Sequence, residues 1–253
     1  MKNNLEEIGL AAVDKFITTW NSRDAVAWAG SLHFPHVRPS PFGEIRVARD
    51  AEEYISAVDF DRVVATGWDH SEWDYKRVLH TSKEKIHVVG AWSRYNKQGE
   101  VILTNPVVYI VTNVDGNWGV QSRFSADDPG DEDTTSMELR SFKLIETFVS
   151  NLISGSTTAC AELLNYPHFE IGPGELKVTE TAAMFTLPSA TLVIDSLFAL
   201  QAGRHSINLA LDLNIDSANA SGLRQAVVNI TERDGHLGIQ AWSLLDPTAI
   251  ADQ

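Results

Sequence analysis

Leu5, Ile8, Ala12, Phe16, Ile17 and Trp20 recur every three or four residues, so a helix over this stretch carries one apolar face. The same spacing returns in Phe142, Ile145, Phe148, Val149 and Leu152 and predicts a second such helix in the later half. After the first helix, residues 24–32 read as a short second one. The segment "HVRP", a turn at "SPFG" and "EIRVA" then predict a small hairpin. "RDAEEYISAVDF" predicts a third helix with Asp50 near its start. From there the pattern is extended, with strands predicted over 71–79, 85–95, 101–112 and 118–124. "NKQG" and "NVDGN" join the last three, because Asn, Asp and Gly tolerate the positive φ of hairpin turns. Helices followed by a mostly antiparallel meander give an α+β layout, with about three helices on one face of a curved sheet.

The order repeats. "HFPHV" from His33 returns as "NYPHF" from Asn165, preceded at nearly the same distance by "FITTWNSRD" and "FVSNLISGS". "GEIRV" answers to "GELKV", and "VVYIVTNVDGNWGVQSR" answers to "AVVNITERDGHLGIQAW". Matched blocks in one register identify a duplicated domain. "SADDPGDEDTTSME" combines a Pro-Gly turn with clustered acidic residues and reads as an exposed linker. The expected boundaries are a first domain over 1–126, a linker over 127–138 and a second domain over 139–253.

Composition narrows the partners. The net charge of −14 is spread over both halves, with no Lys/Arg stripe of the kind that follows phosphates, which argues against nucleic acid. Cys160 is the single cysteine, so neither an internal disulfide nor a four-thiolate zinc site can form. Glu6, Glu7 and Asp14 interrupt what a signal peptide would need to be apolar, and no later run is long enough to span a bilayer. A soluble cytoplasmic protein with no membrane partner is expected.

"FPHVRPSPFGEIRV", "WSRYNKQGEV" and "YIVTNVDGNWGVQSRFSAD", in this order, resemble the nuclear transport factor 2-like superfamily, in particular its SnoaL-like and ketosteroid-isomerase-like branches. The resemblance covers both halves. It implies two tandem cone-shaped domains, each a bent sheet wrapped around helices with a pocket between them. Members commonly pair through their outer sheet faces, so tandem copies imply an intrachain pseudo-dimer, with further homodimerisation open to it. The superfamily includes isomerases, dehydratases, cyclases and non-catalytic binding modules, so the resemblance leaves the reaction open.

Candidate chemistry concentrates in the first copy. His36 is either a folding device that hydrogen-bonds the backbone at the Pro-His corner, as His168 would in the second copy, or a general acid or base. His33 and His36 are three apart, but Pro35 turns them apart and Asn165 replaces His33 in the second copy, so no metal is expected. Arg38, Arg94 and Arg123 lie on predicted strands and either bind a carboxylate or form salt bridges on the outer face. In the second copy these positions become Glu170, approximately Asp212 and Trp242, exchanges that suit complementary charges across a pseudo-twofold interface and leave the second pocket degenerate. "GWDHSEWD" adds Asp69 and His70, either an acid/base pair at a pocket mouth lined by Trp68 and Trp73 or solvated charges beside packed aromatics, with Trp92 and Tyr95 as further ligand-binding candidates and Tyr54 and His87 as outlying ones. The isomerase set of an Asp base with Tyr and a protonated Asp does not map onto either copy. The sequence therefore points to a small-molecule binder, an organic anion among its ligands, without cofactor. In one version it performs cofactor-free proton transfer; in another it is a non-catalytic binding or assembly module.

Overall fold

The computed structural model describes residues 2–130, 132–187, 191–217 and 220–245. The chain divides into two compact units, one built mainly from residues before Phe124 and the other mainly from those after it. Among the described residues no helix is long and apolar enough to cross a membrane.

The first unit opens with α1 (Lys2–Asn21), whose stripe of Ala12, Val13, Phe16, Ile17 and Trp20 is buried. The short α2 (Ala25–Ala29) starts where the Asp24 carboxylate accepts the amides of Val26 and Ala27, at 2.9 and 3.1 Å. β1 (Leu32–Arg38) begins earlier than the predicted hairpin because it serves two neighbours, β2 (Arg46–Ala48) antiparallel and a later strand in parallel. The predicted third helix, over 49–60, is the shorter α3 (Ala51–Ser56), and a further helix that was not predicted, α4 (Phe60–Val64), follows it; Asp50 and Asp59 cap them respectively. The second cap starts α4, since the Asp59 carboxylate takes the Arg62 amide and leaves Asp59 itself non-helical. The meander follows as β3 (His70–Thr81), β4 (Lys85–Tyr95), β5 (Val101–Val114) and β6 (Asn117–Ser125), and the sheet order is β2-β1-β6-β5-β4-β3. Its inner face, with Ile86, Val88 and Trp92 from β4 and Val107, Tyr109 and Val111 from β5, packs with Phe16, Trp20 and Trp28.

The second unit repeats this with α5 (Thr135–Ile153), α6 (Thr157–Ala161), β7 (Leu164–Gly172), β8 (Glu175–Thr179), a 3₁₀ turn (Ala182–Met184), β9 (Thr191–Ala202), β10 (Ser206–Ser217), β11 (Ala220–Arg233) and β12 (His236–Leu244). Its sheet order, β8-β7-β12-β11-β10-β9, is the same, and β7 again pairs in parallel with the closing strand. Helix α5 begins inside the segment read as linker, where the Asp133 carboxylate accepts from the Thr135 amide and hydroxyl. Asp127, from the same acidic segment, accepts from the His205 and Arg204 amides and the Ser206 hydroxyl. The 3₁₀ turn stands where the first unit has α3 and α4.

Hydrogen bonds fix the correspondence between copies. Thr112 Oγ1 donates to Gln121 Oε1 at 3.3 Å, and Thr231 Oγ1 to Gln240 Oε1 at 3.1 Å. Because Lys85 pairs with Thr112 and Ser206 with Thr231, the β4 and β10 ladders align from those positions. Arg94 then corresponds to Ile215, a correction to the Asp212 expected from block spacing; Arg123 corresponds to Trp242 as expected. At the Pro-His corner, where the Phe34–Pro35 and Tyr166–Pro167 bonds are both cis, His36 Nδ1 donates to the Val120 carbonyl at 3.3 Å and His168 Nδ1 to that of Ile239 at 3.1 Å.

Burial lowers the His36 pKa from 6.5 to about 3, assisted by Arg123 and Arg38, and burial lowers that of His168 to about 4. Both rings are therefore neutral in the folded protein, whereas the unfolded chain protonates them as pH falls through 6.5. Below that pH the unfolded state binds protons that the folded state refuses. Each ring thus subtracts up to about 1.4 kcal/mol of stability per pH unit until its folded pKa is reached. His168→Asn, which keeps a donor for the Ile239 carbonyl, should flatten the fall of urea-unfolding stability between pH 6.5 and 4. A slope equal to that of the unsubstituted protein would remove His168 as its source.

Candidate functional site

β4, β5 and β6 aim one residue each at a common region of the first unit. From β6, Arg123 lies only 6% exposed, its guanidinium carbon 5.2 Å from the Phe16 ring and 5.9 Å from that of Trp28. From β4, the half-buried Arg94 lies over Trp20 at 5.3 Å and Trp92 at 5.7 Å. From β5, Tyr109 is fully buried, at 5.3 Å from Phe16. β1 adds His36, 1% exposed, and Arg38, and α3 adds Tyr54, which meets the His36 ring edge-on at 5.5 Å. Arg38 has many neighbouring atoms yet keeps solvent-exposed surface.

These groups act on one another electrostatically. Burial, then repulsion from Arg123, lowers the Arg38 and Arg94 pKa values. Burial raises those of Tyr54 and Tyr109, the latter to about 12, with Arg123 the largest opposing influence in each. The tyrosines are thus neutral donors at physiological pH, and the guanidinium groups keep their charge. Buried polar atoms without a hydrogen-bond partner gather in the same place, Nε of Arg94 and Arg123, Nε1 of Trp28 and Nε2 of His36, while the Trp92 indole N–H donates to the Tyr109 hydroxyl. Among the described residues no ion pair joins a carboxylate to Arg38, Arg94 or Arg123. Cations held in low dielectric without counter-charge are costly, and the arrangement can accept an anion directly.

The structure brings His36, Arg38, Arg94 and Arg123 together with Trp92. Asp69, His70 and Tyr95 form a second cluster at the start of β3 and the end of β4. There Asp69 Oδ2 lies 3.1 Å from His70 Nδ1, and His70 stacks on Tyr95 with centroids 5.3 Å apart. Both side chains of the pair are 38% exposed. Asp69 precedes the strand, which lets two adjacent residues meet instead of pointing to opposite faces. Trp68 is buried against Trp20 at 4.9 Å and donates to Ser71 Oγ at 3.0 Å. His87 takes the opposite face of β4 from Ile86 and Val88, with its Nδ1 3.0 Å from that of His80. Sequence reasoning did not select Trp28, Tyr109 or Arg46, a further cation that acts on Arg38 and Tyr54. Strand parity with Val107 and Val111 was the available signal for Tyr109. Among the described residues no cluster of three or more His, Cys, Asp or Glu could hold a metal ion.

No protein-family model matches the chain, and no curated protein does. Solved structures do. An NTF2-like protein of unknown function from Pseudomonas putida aligns at 10% identity over 45% of this chain and 88% of its own, with a TM-score of 0.38. A ketosteroid isomerase-like protein from Erwinia carotovora aligns at 21% identity over 46% of this chain and 89% of its own, with a TM-score of 0.36. A cystatin-like-fold protein of unknown function from Nostoc punctiforme aligns at 9% over 45% and 93%, with a TM-score of 0.35. Each alignment spans the length of one copy. Both halves of the chain have an α+β layout, a six-stranded sheet with helices in which the first strand pairs in parallel with the last.

Proposed function

We propose that the first copy binds a small organic anion, a carboxylate on an apolar or aromatic body, between Arg38, Arg94 and Arg123. The observation that carries this reading is a set of three guanidinium groups, Arg123 repelling both Arg38 and Arg94, with no ion pair to a carboxylate among the described residues. Trp20, Trp92, Phe16 and Trp28 supply flat apolar surface beside the charges, and Tyr54 and Tyr109 supply neutral donors. His36, neutral down to about pH 3, lines the site as a hydrogen-bonding group and is poorly matched to proton transfer near neutrality. A second reading, cofactor-free isomerisation, dehydration or cyclisation, is favoured by the contact between Asp69 and His70. Pairing of the two copies as an intrachain pseudo-dimer, within a cytoplasmic protein, belongs to the same proposal. Its basis is the sequence duplication, and small-angle scattering that showed independently tumbling copies would refute it.

A thermal-shift screen of small aromatic and aliphatic carboxylates should find acids that raise the melting temperature, with affinity falling as salt rises. Arg94→Ala should weaken binding roughly ten- to a hundred-fold, the worth of one charge-assisted hydrogen bond. Unchanged affinity would place the ligand elsewhere.

Arg123→Met supplies the complementary test. Without ligand it should stabilise the protein by about 1–3 kcal/mol in urea unfolding, because it removes an uncompensated buried cation while keeping apolar volume. It should also abolish acid binding. A destabilised variant would mean that the guanidinium is there to hold the aromatic core.

A further inference from the structure

The second copy keeps the frame of the first and empties its interior. By the shared register, Trp92 and Tyr109 correspond to Leu213 and Val228. The spacing to the common His corner sets Trp20 and Trp28 against Leu152 and Cys160. Four large aromatic side chains thus become aliphatic ones or a thiol, and the 3₁₀ turn Ala182–Met184 replaces the two helices α3 and α4. The result is a partly open pocket of about 390 Å³ lined by α5, the sheet and the residues after the 3₁₀ turn. That is room for roughly a dozen water molecules at liquid density.

The walls are apolar. Leu211, Leu213, Val228 and Ile239 form the sheet side, and Phe148, Phe185 and Trp242 contribute ring faces, the Phe148 and Trp242 centroids lying 5.7 Å apart. The charges of the first site are gone: Arg123 has become Trp242, Arg94 has become Ile215, and Arg38 has become Glu170. Glu170 in turn is held by Lys177 at 2.6 Å, so these two wall charges neutralise each other. Arg224, also on the wall, donates to the Leu245 carbonyl at 3.5 Å. Water would find few partners over most of this surface, and a cavity of this size left unfilled forfeits dispersion contacts along its whole lining.

We propose that the second copy is a binding site for an uncharged, largely apolar small molecule with a ring-bearing body. The expectation of a degenerate, merely structural second pocket is thereby replaced by one of a different specificity. The two copies take different chemical classes, an anion in the first and a neutral hydrophobic compound in the second. The second site stands on its own cavity and does not require the first to bind anything.

The full chain should be titrated with N-phenyl-1-naphthylamine, a neutral probe whose fluorescence rises on leaving water. Saturable enhancement with one site per chain is expected. Leu213→Trp, which restores the bulk of the first copy, and the milder Val228→Leu should each weaken binding, the former ten-fold or more, with circular dichroism and melting temperature confirming that each variant folds. Arg123→Met should bind the probe as the unsubstituted protein does, although it loses acid binding. No saturable enhancement would overturn the proposal, as would folded cavity-filling variants that bind normally. So would loss of probe binding in Arg123→Met, since that locates the probe in the first copy.

Discussion

The parallel junction between the first strand and the last of each copy is the constraint on which the rest depends. It joins the helical opening of the chain to the meander that follows it, and parallel pairing alone leaves few bonds to hold it. Side chains reinforce it identically in both copies. Gln121 Nε2 donates to the Pro35 carbonyl and Gln240 Nε2 to that of Pro167, while His36 and His168 bridge back to the closing strand through Nδ1. The Gln is oriented in turn by a Thr one strand further on. Members of a buried polar network hold one another in place, so such a set is kept or lost as a unit. That explains why the Pro-His step is visible twice in the sequence while its neighbours have diverged.

With the junction held, the interior is free to change. The helix face and the inner sheet positions contribute volume and charge, but they do not set the strand order. One copy therefore spends them on Trp, Tyr and Arg, and the other on Leu, Val and Ile, within the same ladder register. Exchanging one interior for the other would leave the backbone hydrogen bonds in place. It would change what the inside attracts.

Much of this was legible in the sequence. Helix periodicity located α1 and α5, and the Asp-Gly turns located the closing hairpins, because these signals are local. Helix α4 was not legible, since the Asp59 cap that starts it is distinguishable from a solvated Asp only once its carboxylate is seen on the Arg62 amide. The match of Arg94 to Ile215 was missed because the connections before β10 differ in length from those before β4, and only cross-strand pairing restores the count. The convergence of Arg38, Arg94 and Arg123 was foreseen as one of two sheet faces. Choosing between the faces required the bulged register of the strands, which parity over short segments does not supply. The cavity in the second copy was invisible for a different reason: it is a volume difference summed over Leu152, Cys160, Leu213 and Val228, residues far apart in sequence that each look like ordinary core.

The aromatic rings around Arg94 and Arg123 bear on why these charges persist without a carboxylate. A guanidinium over an indole or phenyl face gains about 0.5–2 kcal/mol, enough to soften its desolvation but too little to match an ion pair of good geometry. A protein carboxylate placed there would satisfy the arginines permanently and close the site to other anions. Rings leave the hydrogen-bonding edges of the guanidinium groups available, and the unpartnered Nε atoms of Arg94 and Arg123 lie on those edges. The aromatic packing thus holds the cations in place at a tolerable cost in stability and, on the proposed reading, leaves their strongest interaction to the bound anion.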